Sequence, residues 1–127
     1  MSDNLRFFER LHLQALFFKS DLGLAEMEDK MNASVAIQVL PSTPDEDEVI
    51  RIVDEVIDYI KSTGYSYYVG PCETSIEGDY DGLMEIVKNC QIIAAKAGCS
   101  AMNTYVKISY KPEGEVLTIE KKVTKHH

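Results

Sequence analysis

A chain of 127 residues, 45% hydrophobic and 27% charged, suits one globular domain with enough length to bury a core. Its formal net charge of −8 disfavours the nucleic-acid backbone and anionic membrane surfaces as partners, and would tolerate a cationic small molecule. No run of sequence approaches the roughly 20 apolar residues of a membrane-spanning helix.

Cys72, Cys90 and Cys99 are odd in number and have no CxxC spacing. That pattern points to reduced thiols in the cytoplasm, not to a disulfide framework or a zinc site. His12, His126 and His127 sit near the chain ends, away from other metal-ligating groups, so no metal or cofactor is expected.

The first stretch, MSDNLRFFERLHLQALFFKS, breaks its apolar residues with Arg6, Glu9, Arg10, His12 and Gln14. No small-residue cleavage site follows, so it does not read as a signal peptide. On a helix, Leu5, Phe8, Leu11, Ala15 and Phe18 would form one apolar stripe. Two readings stay open for residues 1–31: a helix packing on the domain or on a neighbouring chain, or an upstream start ahead of Met27 or Met31. The domain proper is taken as residues 32–127.

From Ser34 the pattern sharpens. SVAIQVL alternates Val35, Ile37 and Val39 with Ala36, Gln38 and Leu40, which is a strand with one strongly apolar face. PSTPDEDE then opens a helix, with Thr43 as the expected N-cap, Pro44 in the first helical position and Glu46 completing a capping box. The acidic run Asp45–Glu48 complements the positive end of that helix, a structural account that outweighs a metal-binding one. Val49, Ile52, Val53, Val56, Ile57 and Ile60 recur at helical spacing, and Gly64 closes the helix.

YSYYVG reads as a second strand, Gly70-Pro71 as a turn and ETSIE as a short third strand. Asp79 is placed to cap a second helix carrying Leu83, Met84, Val87, Cys90, Ile93 and Ala94, which Gly98 ends. AMNTYVKISYK is a fourth strand, and LTIEKKVTKHH a short terminal element of undefined type. The order β-α-β-β-α-β predicts an α+β ferredoxin-like sandwich, with a four-stranded antiparallel sheet in the order 4-1-3-2 and both helices on one face.

Two helices cover only one side of such a sheet. By strand parity the other side carries Ala36, Gln38, Leu40, Ser66, Tyr68, Ser75, Glu77, Asn103, Tyr105 and Lys107. Amide, hydroxyl and carboxylate groups among tyrosines could hold a small flat heterocycle, the rings stacking and the polar groups reading its edge. The plain alternative is a sheet-on-sheet dimer interface, with Glu77 simply paired to Lys107.

At VAIQVLP, YVGPCETSIEGDYDGLMEIVK and LTIEKKV the chain resembles the small thiamine-binding proteins. Their pattern has a first strand ending in proline, then GP followed by T-[ST]-x-E-G, then a helix with Met and Ile. Here these are Pro41, Gly70-Pro71, Thr74-Ser75-Ile76-Glu77-Gly78, Met84 and Ile86. The likeness spans residues 34–124. It implies a ferredoxin-like fold, homodimers or homotetramers, and binding of thiamine or its hydroxymethylpyrimidine half without catalysis, in salvage or transport. It carries a ligand-contact role to Gln38, Thr74, Ser75 and Glu77; parity adds Tyr68 and Asn103. Thr74 falls on the opposite parity from Ser75 and Glu77, so either it lies in the core or the site reaches the strand edge.

Two other functions compete. Acylphosphatases share this element order but need an arginine in the loop after the first strand, and LPSTPDEDE has none. Glu73 and Glu77 share a face roughly 13 Å apart, too wide for a shared proton. An enzyme is therefore not expected. A ligand-sensing regulatory or scaffolding module remains the alternative, by analogy of fold alone.

Overall fold

Strand β1, Ala33–Pro41, buries Ala33, Val35, Ile37 and Val39 on one side, as its alternation requires. The computed structural model of the chain describes residues 30–127. The apolar stripe of Leu5 to Phe18 and most of the 1–31 extension lie outside the described residues.

After β1 come α1 (Glu46–Ser62), β2 (Ser66–Val69), β3 (Thr74–Gly78), α2 (Tyr80–Lys96), β4 (Met102–Tyr110), a short α3 (Ile119–Val123) and a 3-10 turn (Thr124–His126). The four strands form one antiparallel sheet in the order β2-β3-β1-β4, which is the ferredoxin-like arrangement. Register settles the faces. Val35 sits between Ile76 and Ile108, and Ile37 between Thr74 and Val106, on the helix-covered side. Ala36 sits between Ser75 and Lys107 on the other side.

Ile52, Val56, Tyr59 and Ile60 of α1 and Leu83, Ile86, Cys90, Ile93 and Ala94 of α2 complete one core cluster with the sheet. Each large aliphatic side chain taken from water there contributes about 1.5–3 kcal/mol. The two helices also share a buried polar contact, in which Asn89 Nδ2 donates to Tyr59 Oη at 2.9 Å. Burial raises the Tyr59 phenol well above its ordinary pKa.

Helix α1 begins later than its sequence suggests. Asp45, not Thr43, is the N-cap, its carboxylate accepting from Asp47 N at 3.0 Å. Thr43 Oγ1 instead accepts from Asp45 N, and Pro44 lies outside the helix. A cap needs extended backbone and a short acceptor two residues ahead, and Asp45 meets both conditions. At the other end Gly64 takes φ +78°, the left-handed position that lets the chain turn into β2. Among the described residues no helix is long and apolar enough to cross a membrane.

The sheet face away from α1 and α2 is not bare, a correction to the sequence reading. The C-terminal element crosses it: Ile119 N, in the first turn of α3, donates to Glu77 Oε2 at 2.6 Å. His127 Nε2 lies 3.0 Å from Tyr68 Oη on β2. Backbone bonds from Lys111 N to Asn32 O and from Val116 N to Met31 O tie the connecting loop to the start of β1.

Candidate functional site

β1 is longer than the strand beside it. Gln38, Val39, Leu40 and Pro41 pair with β4, whereas the β3 ladder stops at the pair Ile37–Thr74. Beyond that pair the β3-side backbone of β1 has no strand partner. The chain there turns away through Gly70-Pro71-Cys72-Glu73, a tight turn closed by Gly70 N donating to Glu73 O at 2.9 Å. A Cβ on Gly70 would meet Glu73 O at 2.8 Å, so the turn needs glycine at that corner.

The gap between this turn and α1 is a cleft of about 290 Å³. Its floor is Ile37 and Val39, one wall is α1 with Val49, Ile50, Val53 and Ile57, and the other is residues 70–74. Polar groups stand at its edge: Asp54 from the helix, Thr74 and Glu73 from the sheet side, and the Cys72 thiol. Its volume lies at the low end of small-molecule sites, about 300–1,000 Å³, and suits one substituted aromatic ring.

The charges at the cleft are arranged unequally. Glu73 Oε1 pairs with Lys107 Nζ at 2.8 Å, the long lysine reaching across Ala36 from β4. Lys107 therefore does not pair with Glu77. No described ion pair includes Asp54. An apolar slot with an unpaired carboxylate at its rim accepts a ring that presents amine donors or positive charge.

The sequence-predicted residues divide between the two sides of the sheet. Thr74, on the helix-covered side and 6% exposed, lines the cleft at the end of the β3 ladder; Gln38 also borders the cleft, at the unpaired β1 edge, although register puts its side chain on the opposite face with Ala36. Ser75, Glu77, Tyr68 and Asn103 belong to the opposite face by register. There Glu77, 5% exposed, holds the first turn of α3, and Tyr68 meets His127. Asn103 is exposed opposite Leu40. Asp54 and Cys72 were not singled out from sequence. One signal for Asp54 was available: the apolar arc of α1 is wider than the core consumes, and Val49, Val53 and Ile57 stay half-buried beside it.

The motif's glycines have a separate explanation. Tyr65, just before β2, lays its ring against the start of α2. A Cβ on Gly78 would come within 2.7 Å of that ring, and one on Gly82 within 1.8 Å of its hydroxyl. Tyr65 Oη donates to Asp79 Oδ1 at 2.6 Å, while Asp79 Oδ2 accepts from Gly82 N at 2.8 Å. The stretch EGDYDG thus builds the β3–α2 corner.

Fold and ladder together define a ferredoxin-like α+β domain with a cleft at the free edge of its first strand. The chain belongs to the thiamine-binding protein family, whose model matches residues 35–127. It is 44% identical over 93 residues to UPF0045 protein CPE1503 of Clostridium perfringens, covering 73% of this chain and 95% of that one. A Bacillus cereus structure of a domain of unknown function, DUF77, superposes with TM-score 0.69 at 33% identity, covering 79% of this chain and 94% of its own. A Thermotoga maritima structure, named for thiamine biosynthesis or salvage, superposes with TM-score 0.67 at 30% identity, covering 76% and 99%.

Proposed function

We propose that this chain binds thiamine, or its hydroxymethylpyrimidine half, without chemical turnover, in thiamine salvage or transport. The observation that carries the reading is the cleft between α1 and the 70–73 turn, which joins Thr74 of the family motif to the unpaired edge of β1. Apolar side chains of Val39, Val53 and Ile57 would sandwich the aminopyrimidine. Asp54 would accept from its exocyclic amine, and Thr74 and the β1 backbone would serve the ring nitrogens. Among the described residues, neither a histidine nor a lysine lines the cleft, in keeping with a binding role. The family name and the T. maritima relative's name support thiamine as the class of ligand.

Association into homodimers or homotetramers is part of the same proposal. β4 is an edge strand whose Tyr105, Ile108 and Tyr110 are all about half exposed or more, at 62%, 48% and 50%. Those are the marks of a strand that pairs with another copy.

Isothermal calorimetry with thiamine and hydroxymethylpyrimidine tests the reading. The expected result is saturable binding near one site per chain, weakened about tenfold or more by Asp54→Ala or Thr74→Val. Ser75→Ala, on the far face, should change it little. Alkylation gives a second readout: Cys72 is exposed in the turn, so bound ligand should slow its reaction. Cys90, its thiol pushed up to about 12 by burial, should stay unreactive near neutral pH, where its thiolate is scarce, until the protein unfolds. Weakening by Ser75→Ala but not by Asp54→Ala would move the site to the far face. No heat from either ligand would favour the ligand-sensing or scaffolding module instead.

A further inference from the structure

A second concavity, of about 470 Å³, lies where the end of β4 meets the C-terminal element. Its lining residues include three lysines, Lys111, Lys121 and Lys122, with Ser109, Thr118 and Glu115. The formal charge of this set is +2, within a chain whose net charge is −8. The ion pairs of Arg51, Lys88 and Lys107 do not include these three lysines.

In an acidic protein, lysines readily find carboxylates. Three that border one hollow without such a partner repel each other, and an anion removes that repulsion. The plain alternative is three solvated surface lysines; what speaks for a site is that the backbone beneath them is tied down. Lys111 N donates to Asn32 O at 2.8 Å, Val116 N to Met31 O at 2.9 Å and Lys121 N to Thr118 Oγ1 at 3.2 Å. Buried Glu77 holds Ile119 N between them. A site whose frame is already ordered loses less entropy on binding.

We propose that this concavity binds a small phosphate-bearing anion, with diphosphate the best match to three ammonium groups and two hydroxyl donors. Lysine serves phosphate as a mobile point charge, and hydroxyls supply direction. The inference stands apart from the thiamine reading, because it uses none of the cleft residues. Lys107, the one cation that strand parity put on the open face, is engaged by Glu73.

Two-dimensional ¹H–¹⁵N NMR of the full chain, titrated with inorganic diphosphate, tests it. Saturable shifts should appear at Ser109, Lys111, Thr118, Lys121 and Lys122, with Asp54 and Thr74 unmoved. Affinity should fall about tenfold or more in Lys121→Ala/Lys122→Ala, and fall again as salt rises through about 0.15 M. These exposed lysines can be removed without touching the core, and the dispersion of the sheet amides verifies folding. Inorganic phosphate and thiamine diphosphate form parallel arms: equal binding of the two diphosphates shows that the phosphate groups alone are read, and tighter thiamine diphosphate that an organic moiety adds contacts. Shifts that stay linear with concentration, spread over every lysine, or persist unchanged in the double variant overturn the proposal.

Discussion

Tyr65 explains more of the motif than any ligand contact does. Its ring occupies the space that side chains at positions 78 and 82 would fill, and its hydroxyl donates to Asp79 at 2.6 Å. Gly82→Ala forces a methyl group to within 1.8 Å of that hydroxyl, so either the tyrosine or the first turn of α2 must shift. Overpacking of this kind costs about 1–3 kcal/mol. Chemical denaturation of Gly82→Ala should show a loss of that size, and Tyr65→Ala in the same chain should remove most of the additional penalty. A Gly82→Ala protein as stable as the parent would mean that the Tyr65 contact is looser than described. Sequence alone marked TSIEG as special and assigned the reason to recognition. The packing reason was hidden because Tyr65 belongs to another element, thirteen positions ahead of Gly78.

At the scale of elements, periodicity carried the reading wherever an element was long. Val35, Ile37 and Val39 gave β1 its face, and the 3.6-residue spacing gave both helices. Sheet order followed from right-handed crossovers. What escaped was short or relational. The five residues of α3 are too few for a periodic signal, and their docking depends on Glu77, a carboxylate that reads as ligand-directed until its partner is known. The cleft arises because β1 outruns β3, and a strand's length relative to its neighbour cannot be read from either strand alone. Glu77→Ala should therefore act on the C-terminal element. Leaving Ile119 N buried without an acceptor costs about 1–3 kcal/mol, which denaturant unfolding would register. Amide exchange at Ile119 should accelerate, Glu77→Gln should recover much of the loss, and thiamine affinity should change little. A large fall in affinity with α3 still protected would return Glu77 to the ligand.

The whole molecule presents one further demand on its surface. β4 runs nine residues, an edge about 30 Å long, and nothing among the described residues pairs with its outer side. Tyr105 and Ile108 flank this edge from opposite faces, so a second copy pairing antiparallel along it would cover both and extend the sheet across two chains. Ile108→Lys places a charge on that edge at little cost to the monomer, since Ile108 is already 48% exposed. Sedimentation velocity should show the parent as a dimer or tetramer and the variant shifted towards monomer. The net charge of −8 per chain opposes association, so the parent oligomer should tighten as salt screens that repulsion over about 10 Å at 0.1 M. The cleft lies on the β3 side of β1 and the edge strand on its other side, so each chain should keep its own site. Thiamine affinity in Ile108→Lys should match the parent's; a monomeric variant that no longer binds would instead mean that the site is completed by the neighbouring copy. An Ile108→Lys protein that stays fully oligomeric would remove β4 as the interface and leave the exposed β2 edge, with Tyr67 and Val69, as the surface that joins the copies.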